Sequence, residues 1–495
     1  MAVICVDAGT TVIKAVGYDE EGAEVAVARR ETRVSRPLPG HAEQDMDDVW
    51  DAVAHTVREV ASLLEGPVGF VALTAQGDGA WLVDRDGRPT GPAILWNDAR
   101  AAAVVDRWNR SGLTERAFRT NGSSAASGLP HAVLTWLNEH DPDRVTRSAA
   151  LLTCGGWIFS RMTGELAADE SDASAPFLDL RARSYSPELL RLFDLEWAER
   201  LLPELRDDGR RVAGLTAEAA GALGLPAGTP VVMAPYDIVS TAIGAGAVGA
   251  GQACSILGTT LCTETVVAEP ELDGPAVGIT IAVPGGYLRA FPTFAGVEVL
   301  HWACRMLGLA GPAELGELAA AAPPGASGLA FLPYFSPAGE RAPFSDPLAR
   351  GSFLGMSFEH GREHVARAVL EGLTLVVQDC LAASSAPARE LRVCGGGSAS
   401  DLWVRMIADV TGVPVLRSAD SEVGARGAFL VGLAATGAAS GIEAAADRHV
   451  RLRDAVRPEV GAYRTAYKDF LALRETTAGT WPLLAEMRAR TGSGA

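Results

Sequence analysis

A Gly-Thr-Thr turn occurs twice in the chain, in DAGTTV (7–12) and in LGTTLC (257–262), each time between two hydrophobic runs. Such a turn presents consecutive backbone N–H groups and hydroxyls to one point, which suits phosphate oxygens. A single copy is also what an ordinary hairpin uses. Two copies, at the heads of two halves facing one another across a cleft, point to a duplicated unit. The expected phosphate contacts are Gly9, Thr10, Thr11, Gly258, Thr259 and Thr260. The first turn carries Asp7 where the second is read to carry Leu257. Mg²⁺ takes one or two carboxylates and completes its shell with phosphate and water oxygens, so Asp7 is placed to hold it. The plainer reading of Asp7 is a strand-end acid capping a turn. Lys14 either reaches a phosphate or is a solvated strand residue.

Asp237 is the only charged residue between Glu218 and Glu264. Taking an ionised carboxylate out of water is costly unless something pairs with it or uses it. Two loops, TAQGDGAWLVD (74–84) and PAILWNDAR (92–100), bring together Gln76, Asp78, Trp96, Asn97, Asp98 and Arg100. Carboxylates and amides bond pairs of hydroxyls, and a Trp face covers the C–H side of a sugar ring, so a polyhydroxyl ligand suits these groups. For Asp98, sugar contact and an Asx turn capping the following helix stand as equal readings; for Gln76 and Asp78 contact is favoured. VCGGGSASDLW sets Gly395, Gly396 and Gly397 between a strand and a helix, where a ligand can approach the backbone and meet a helix N-terminus. The alternative is a tight turn with no ligand. Neither GxGxxG nor a P-loop is present.

The elements that must position these residues read as α/β, twice over. Runs near 2–7, 12–19 and 23–30 form a β-meander, and 46–64 is an amphipathic helix with an Asp-rich first turn. Residues 68–76 and 229–237 read as strands ending in polar residues. In the second half, 363–383 reads as a long helix, 390–397 as a strand, and 400–412 as a helix closed by Gly412. Residues 422–432 read as the start of a closely packed helix, mostly structural. The chain is expected to divide into domains 1–247 and 248–477, with a frayed tail, 478–495.

Composition sets limits. A length of 495 residues exceeds what one core usually serves. The net charge of −18 opposes a nucleic-acid or anionic-membrane partner. Seven scattered cysteines without a CxxC pair fit a reducing cytoplasm, and the N-terminus reaches Asp7 too soon for a signal peptide. The charge-free stretch 238–263 is rich in Gly, Ala, Ser and Thr and suits a packed core better than a membrane span.

On these motifs the chain resembles the FGGY carbohydrate kinases, in the branch that includes xylulokinases. VDAGTTVIKA and ILGTTLCTE resemble the family's two phosphate motifs. TAQGDGAWLVD with GPAILWNDAR resembles the sugar-side segment, FLPYFSPAGERAPFSDPLARGSFLGM (331–356) the signature before the long helix, and RVCGGGSASDLWVRMIADVTG the adenosine segment. The likeness runs from about residue 3 to 437. It implies two actin-like (ribonuclease-H-like) domains flanking a central ATP/sugar cleft, with sugar mostly on the N-terminal side and ATP on the C-terminal side. It also implies that Asp237 is the general base, that Asp7 and Asp237 attend Mg²⁺, and that Gly395, Gly396 and Gly397 let adenosine lie against the backbone. A homodimer is compatible with it.

The expected reaction is ATP-dependent phosphorylation of a small sugar or polyol, a xylulose-like ketopentose first and a tetritol second. Asp78 stands where the xylulokinase branch tends to have His, and Ile238 where it often has Asn. QGDGAW with YDIVSTA is closer to kinases of L-xylulose-like sugars and of erythritol. Pro337-Ala338 is an extra pair before GERAP. The rival from another class is an actin-like ATP switch, which has no use for the two sugar-side loops; a second rival is a sugar-sensing regulator descended from a kinase.

Overall fold

The computed structural model describes every residue except 208, 454, 460 and 491–495. The chain divides into two compact units. The first comprises 1–248, 267–288 and 420–451, the second 249–266, 289–419 and 452–495.

The first unit is built on a mixed six-stranded sheet. Strands β1 (Ala2–Ala8), β2 (Val12–Tyr18) and β3 (Glu24–Glu31) form the expected antiparallel meander. Helix α1 (Met46–Leu63) begins at Asp45, whose carboxylate accepts the Asp47 and Asp48 N–H groups. Its Val49, Val53, Val57 and Val60 recur at helical spacing and pack with Ile4, Val6, Ile13 and Ala15 of the sheet. Strand β4 (Val68–Ala75) lies parallel to β1, and β6 (Pro230–Met233) parallel to β4; β5 (Val212–Gly214) closes that edge antiparallel to β6. Helix α2 (Asp237–Gly244) follows β6.

In the second unit β7 (Gln252–Leu257) and β8 (Leu261–Val267) make an antiparallel hairpin, and β9 (Glu390–Cys394) and β10 (Val415–Arg417) extend it in parallel. The long helix Arg362–Ala382 lays Val369, Leu373, Val376 and Val377 into a core with Leu257, Leu391, Val393 and Trp403. Each unit therefore opens with a hairpin turning on Gly-Thr-Thr, its first strand then paired in parallel to a later one.

Two expectations change. When the turns are matched at Gly9 and Gly258, Ile256 stands at the place of Asp7, not Leu257; in strand register Asp7 faces Lys14 and Ile256 faces Cys262. The tail is not frayed throughout. Trp481–Arg490 is a helix whose Trp481 is buried beside Tyr334 and Phe344, and 491–495 lie outside the described residues. The charge-free stretch 238–263 is a helix, a turn and two strands, and no helix among the described residues is long and apolar enough to cross a membrane.

The small residues of 422–432 are explained by close packing. Helix Val423–Ala435 crosses α2 so tightly that a Cβ on Gly427 would lie 1.8 Å from the Ser240 carbonyl oxygen. Backbone cannot give way as a side chain can. Gly427→Ala should therefore lower stability by about 3 kcal/mol, although Gly→Ala inside an exposed helix gains about 1 kcal/mol. A urea midpoint unchanged or raised in that variant would show the crossing to be looser than described.

Candidate active site

The first turn is tied to both sugar-side loops through one hydroxyl. Thr10 Oγ1 donates to Gln76 Oε1 (2.7 Å) and accepts from Trp96 Nε1 (3.0 Å). Gln76 Nε2 donates to Gln44 Oε1 (2.8 Å), and Gln44 Nε2 donates to the Thr10 carbonyl (2.7 Å), closing a ring. Gln76 is 2% exposed with both ends of its amide engaged. Favoured as a hydroxyl contact, it serves in this structure as a brace.

Asp98 and Arg100 are also turned inward. Asp98 accepts the Ala42 N–H (2.6 Å) and the Arg100 N–H (2.8 Å), and its carboxylate takes the Arg100 guanidinium at 2.9 Å. Arg100 reaches on to Glu43 (2.6 Å). The local Asx turn exists, but the helix Ala102–Arg110 has no side-chain cap, so the helix-capping reading of Asp98 fails. A ligand hydroxyl at Asp98 would have to displace one of these donors. Trp96 is half-buried, and Asn97 is exposed. Asp78 is half-buried and has a left-handed backbone (φ 56°). The Trp96 loop is also clasped by Gly128, where a Cβ would fall 1.9 Å from the Trp96 carbonyl oxygen.

Asp7 and Lys14 sit across the β1–β2 ladder, 3.8 Å apart, and Lys14 makes its shorter contact, 2.9 Å, to Glu422. Arg29 binds the other oxygen of Glu422. Lys14 is thus paired, with 31% of its side chain still exposed. Burial pulls its ammonium down, but Asp7 and Glu422 outweigh that and raise it. Burial raises the Asp7 carboxyl against the opposing pull of Lys14. Glu422, from a segment about 400 residues away, carried no signal in the sequence.

Asp237 is the first residue of α2, where the helix dipole favours an anion. Its Oδ1 accepts the Ile238 N–H at 2.8 Å. Although the residue keeps some accessible edge, protein crowds its carboxyl. Burial, then the charge of Asp7, with Asp78 adding, push it up to about 7 against the Ile238 bond. The strand end before it is pinned: Thr74 Oγ1 (2.7 Å) and Ser240 Oγ (2.6 Å) both donate to the Pro235 carbonyl. The Tyr236 ring lies on Gly77, where a Cβ would come within 2.4 Å of it, so the residue before Asp237 touches the residue before Asp78. Asp172, missed in the sequence, joins the same field. Burial raises its carboxyl well above the usual range, with Asp169, Asp78 and Asp237 adding to the effect. The acidic run ADESDAS was its only trace.

In the second unit the Gly-Thr-Thr turn and the glycine loop are neighbours. Gly395, at φ 83°, packs so that a Cβ would lie 2.8 Å from the Leu257 carbonyl, and Gly397 lies against Leu257 and Trp403. Around Gly396 there is open space. The N-terminus of helix Val297–Leu307 bonds the turn's carbonyls, Val297 N–H to Gly258 O (2.9 Å) and Glu298 N–H to Thr259 O (3.3 Å). The Thr259 side chain of that turn is exposed.

Two α/β units, each opened by a Gly-Thr-Thr hairpin, with a buried acid in the first and a glycine loop in the second, define the actin-like class of phosphotransferases. The chain belongs to the FGGY family of carbohydrate kinases: residues 2–244 match the family's N-terminal domain and 253–436 its C-terminal domain. It is similar to the erythritol kinase of Brucella abortus (34% identical over 458 residues, 88% of each chain). It is also similar to the xylulose kinase of Escherichia coli (31% over 432 residues, 85% of this chain and 87% of the relative). The crystal structure of xylulose kinase from Rhodospirillum rubrum matches with TM-score 0.88 at 29% identity, covering 97% of this chain and 100% of that one. The protein is a carbohydrate kinase.

The raised Asp237 has a stability signature. Its folded-state value, about 7, lies above the ordinary 3.8, so the native state holds its proton longer than the unfolded chain does. Its contribution is complete below about pH 4 and is lost as pH rises through about 7. In chelator-treated protein, Asp237→Asn should melt higher than the parent at pH 8 and gain much less at pH 4. Equal differences at both pH values would contradict the burial of this carboxyl.

Proposed function

We propose that this kinase transfers the terminal phosphoryl group of ATP to a hydroxyl of a small sugar, a xylulose-like ketopentose, with Asp237 as general base. The observation that carries the reading is the Asp237 carboxyl itself: at a helix start, with a pKa near neutrality and a fixed backbone on both sides. A base of that strength is ionised often enough to act, yet strong enough to draw a hydroxyl proton. Asp78, Trp96 and Asn97 are assigned to the sugar; Gln76, Asp98 and Arg100 brace the same two loops. The similarity to an erythritol kinase supports a tetritol as the second acceptor.

Gly9, Thr10 and Thr11 of the first unit, and Gly258, Thr259 and Thr260 of the second, are assigned to phosphate oxygens. Gly395, Gly396 and Gly397 are assigned to adenosine, the space at Gly396 supporting that assignment. Among the described residues no group of three or more His, Cys, Asp or Glu side chains is gathered to hold a metal. Single carboxylates such as Asp7 and Asp237 fit Mg²⁺, whose remaining ligands are phosphate and water oxygens. When bound, that ion offsets charge on the phosphates. Lys14, held by Glu422 and Asp7, keeps a positive charge beside the first turn. Seven buried, unpaired cysteines support a reducing, cytoplasmic setting.

The test is ADP release over a panel of ketopentoses, tetritols, glycerol and aldohexoses. One ketopentose should dominate, and Asp237→Asn should lower its turnover by about 10²–10⁴ with ATP affinity little changed. In the parent, turnover should rise with pH up to about 7 and then level, because the base must be ionised. ATP hydrolysis indifferent to every acceptor, or near-normal turnover in Asp237→Asn, would overturn the proposal.

A further inference from the structure

We propose that Ser171, oriented by Asp169, is a positioning residue for the base: it fixes the Pro235–Tyr236 peptide, one residue ahead of Asp237. The inference rests on the reading of Asp237 as that base. Three side chains form a buried relay that no phosphate or sugar contact uses. Asp169 is the N-cap of the short helix Glu170–Ser174 and accepts both the Ser171 N–H (2.9 Å) and the Ser171 hydroxyl. Its other oxygen takes the Arg211 guanidinium in an ion pair, and the same Arg211 Nη1 donates to the Met233 carbonyl (3.1 Å). The Ser171 Oγ in turn accepts the Tyr236 N–H at 3.1 Å. Asp169, Ser171 and Arg211 are each 2% exposed or less.

The direction of these bonds follows from the chemistry of the groups. An ionised carboxylate only accepts, so the Ser171 proton goes to Asp169 and a lone pair is left for Tyr236. The Tyr236 amide precedes the α2 ladder, and its carbonyl is the one that starts it, bonding the Ser240 N–H at 3.0 Å. The relay therefore grips the strand end at Met233 and again at Tyr236, while Thr74 and Ser240 grip Pro235 between them. Only the φ and ψ of Tyr236 lie between Ser171's bond and the base. Without the Ser171 oxygen, the buried Tyr236 N–H loses this acceptor, and the Pro235–Tyr236 peptide, still held at its carbonyl by Thr74 and Ser240, is left to turn about that end. Such a turn would swing the Asp237 carboxyl, and misplacement by about 1 Å is worth about 100-fold in rate.

Ser171→Ala tests this, since it removes the oxygen and keeps the Asp169–Arg211 pair. In the full-length kinase, with the panel compound of highest turnover, kcat should fall by about 10- to 100-fold. The KM values for sugar and ATP should stay within about twofold, and the melting temperature should move little. Hydrogen exchange should quicken in the peptide spanning 233–238, a readout that needs no substrate. Ser171→Thr, which keeps the hydroxyl, should recover turnover; if the alanine variant also melts early, that recovery is the deciding measurement. A kcat within twofold of the parent, a change in KM alone, or unchanged exchange at 233–238 would overturn the inference. If Ser171→Ala is fully active while Asp237→Asn is dead, only this inference fails. If Asp237→Asn retains turnover, the reading of the base fails instead.

Discussion

A carboxylate kept from water without a cation of its own is the constraint around which the first unit is arranged. Several other buried acids there are matched, Asp98 with Arg100, Asp169 with Arg211, Glu422 with Lys14 and Arg29, whereas Asp172 shares the field of Asp237. The groups acting on Asp237 are two further acids and one backbone N–H. A matched ion pair would hold the carboxyl in place but would also depress its basicity. Leaving Asp237 unmatched keeps it basic and shifts the task of orientation to the backbone. The hydroxyls of Thr74, Ser240 and Ser171 then do what a cation does elsewhere. Hydroxyls carry no net charge, so they fix position without stabilising the anion strongly.

The same division runs through the sugar-side loops. Their most polar residues do not all point outward: Gln76, Asp98 and Arg100 spend their bonding capacity on Thr10, Gln44, Ala42 and Glu43. Under the proposed function, a loop that presents Asp78 and Trp96 repeatedly in one place needs such internal bonds, because loop backbone has few of its own. The Thr10 hydroxyl is shared between this framework and the first turn. Movement of the turn would therefore be felt by Trp96 and Gln76 at once.

Much of this was legible in the chain because it rests on local signals. Alternating runs and Gly-Thr-Thr mark the hairpins, a 3.6-residue period marks the helices at 46 and 362, and an isolated acid marks Asp237. What escaped depends on distant neighbours. Gln76 reads as a ligand group until Gln44 is placed beside it, and the ion pair of Lys14 with Glu422 has no local sign. ADESDAS reads as a charged helix start, and nothing local says that Asp169 and Asp172 are buried. The helix at 481–490 escaped because polar residues surround its single strong anchor, Trp481, whose partners Tyr334 and Phe344 lie far back in the chain. The match of Asp7 to Ile256 was legible too, since aligning the two Gly-Thr-Thr strings places it there. What the ladder adds is loop length: one hairpin closes with Ala8 facing Ile13 and the other with Leu257 facing Leu261.

That corrected register bears on why the two turns are not equivalent. At the place of Asp7 the second hairpin has Ile256, and opposite it, in place of Lys14, is Cys262. Acid and cation are absent together, as the cost of an unpaired buried charge requires. Leu257 instead backs the Gly395–Gly397 loop, where a charged side chain would be shut away from water. Under the proposed reaction, a second carboxylate near a polyphosphate would repel it, whereas N–H groups and threonine hydroxyls would not. One copy of the frame therefore retains an acid and a lysine, and the other has neutral residues at both places. The duplicated hairpin supplies the scaffold twice; a single Asp–Lys pair across one ladder decides which copy carries charge.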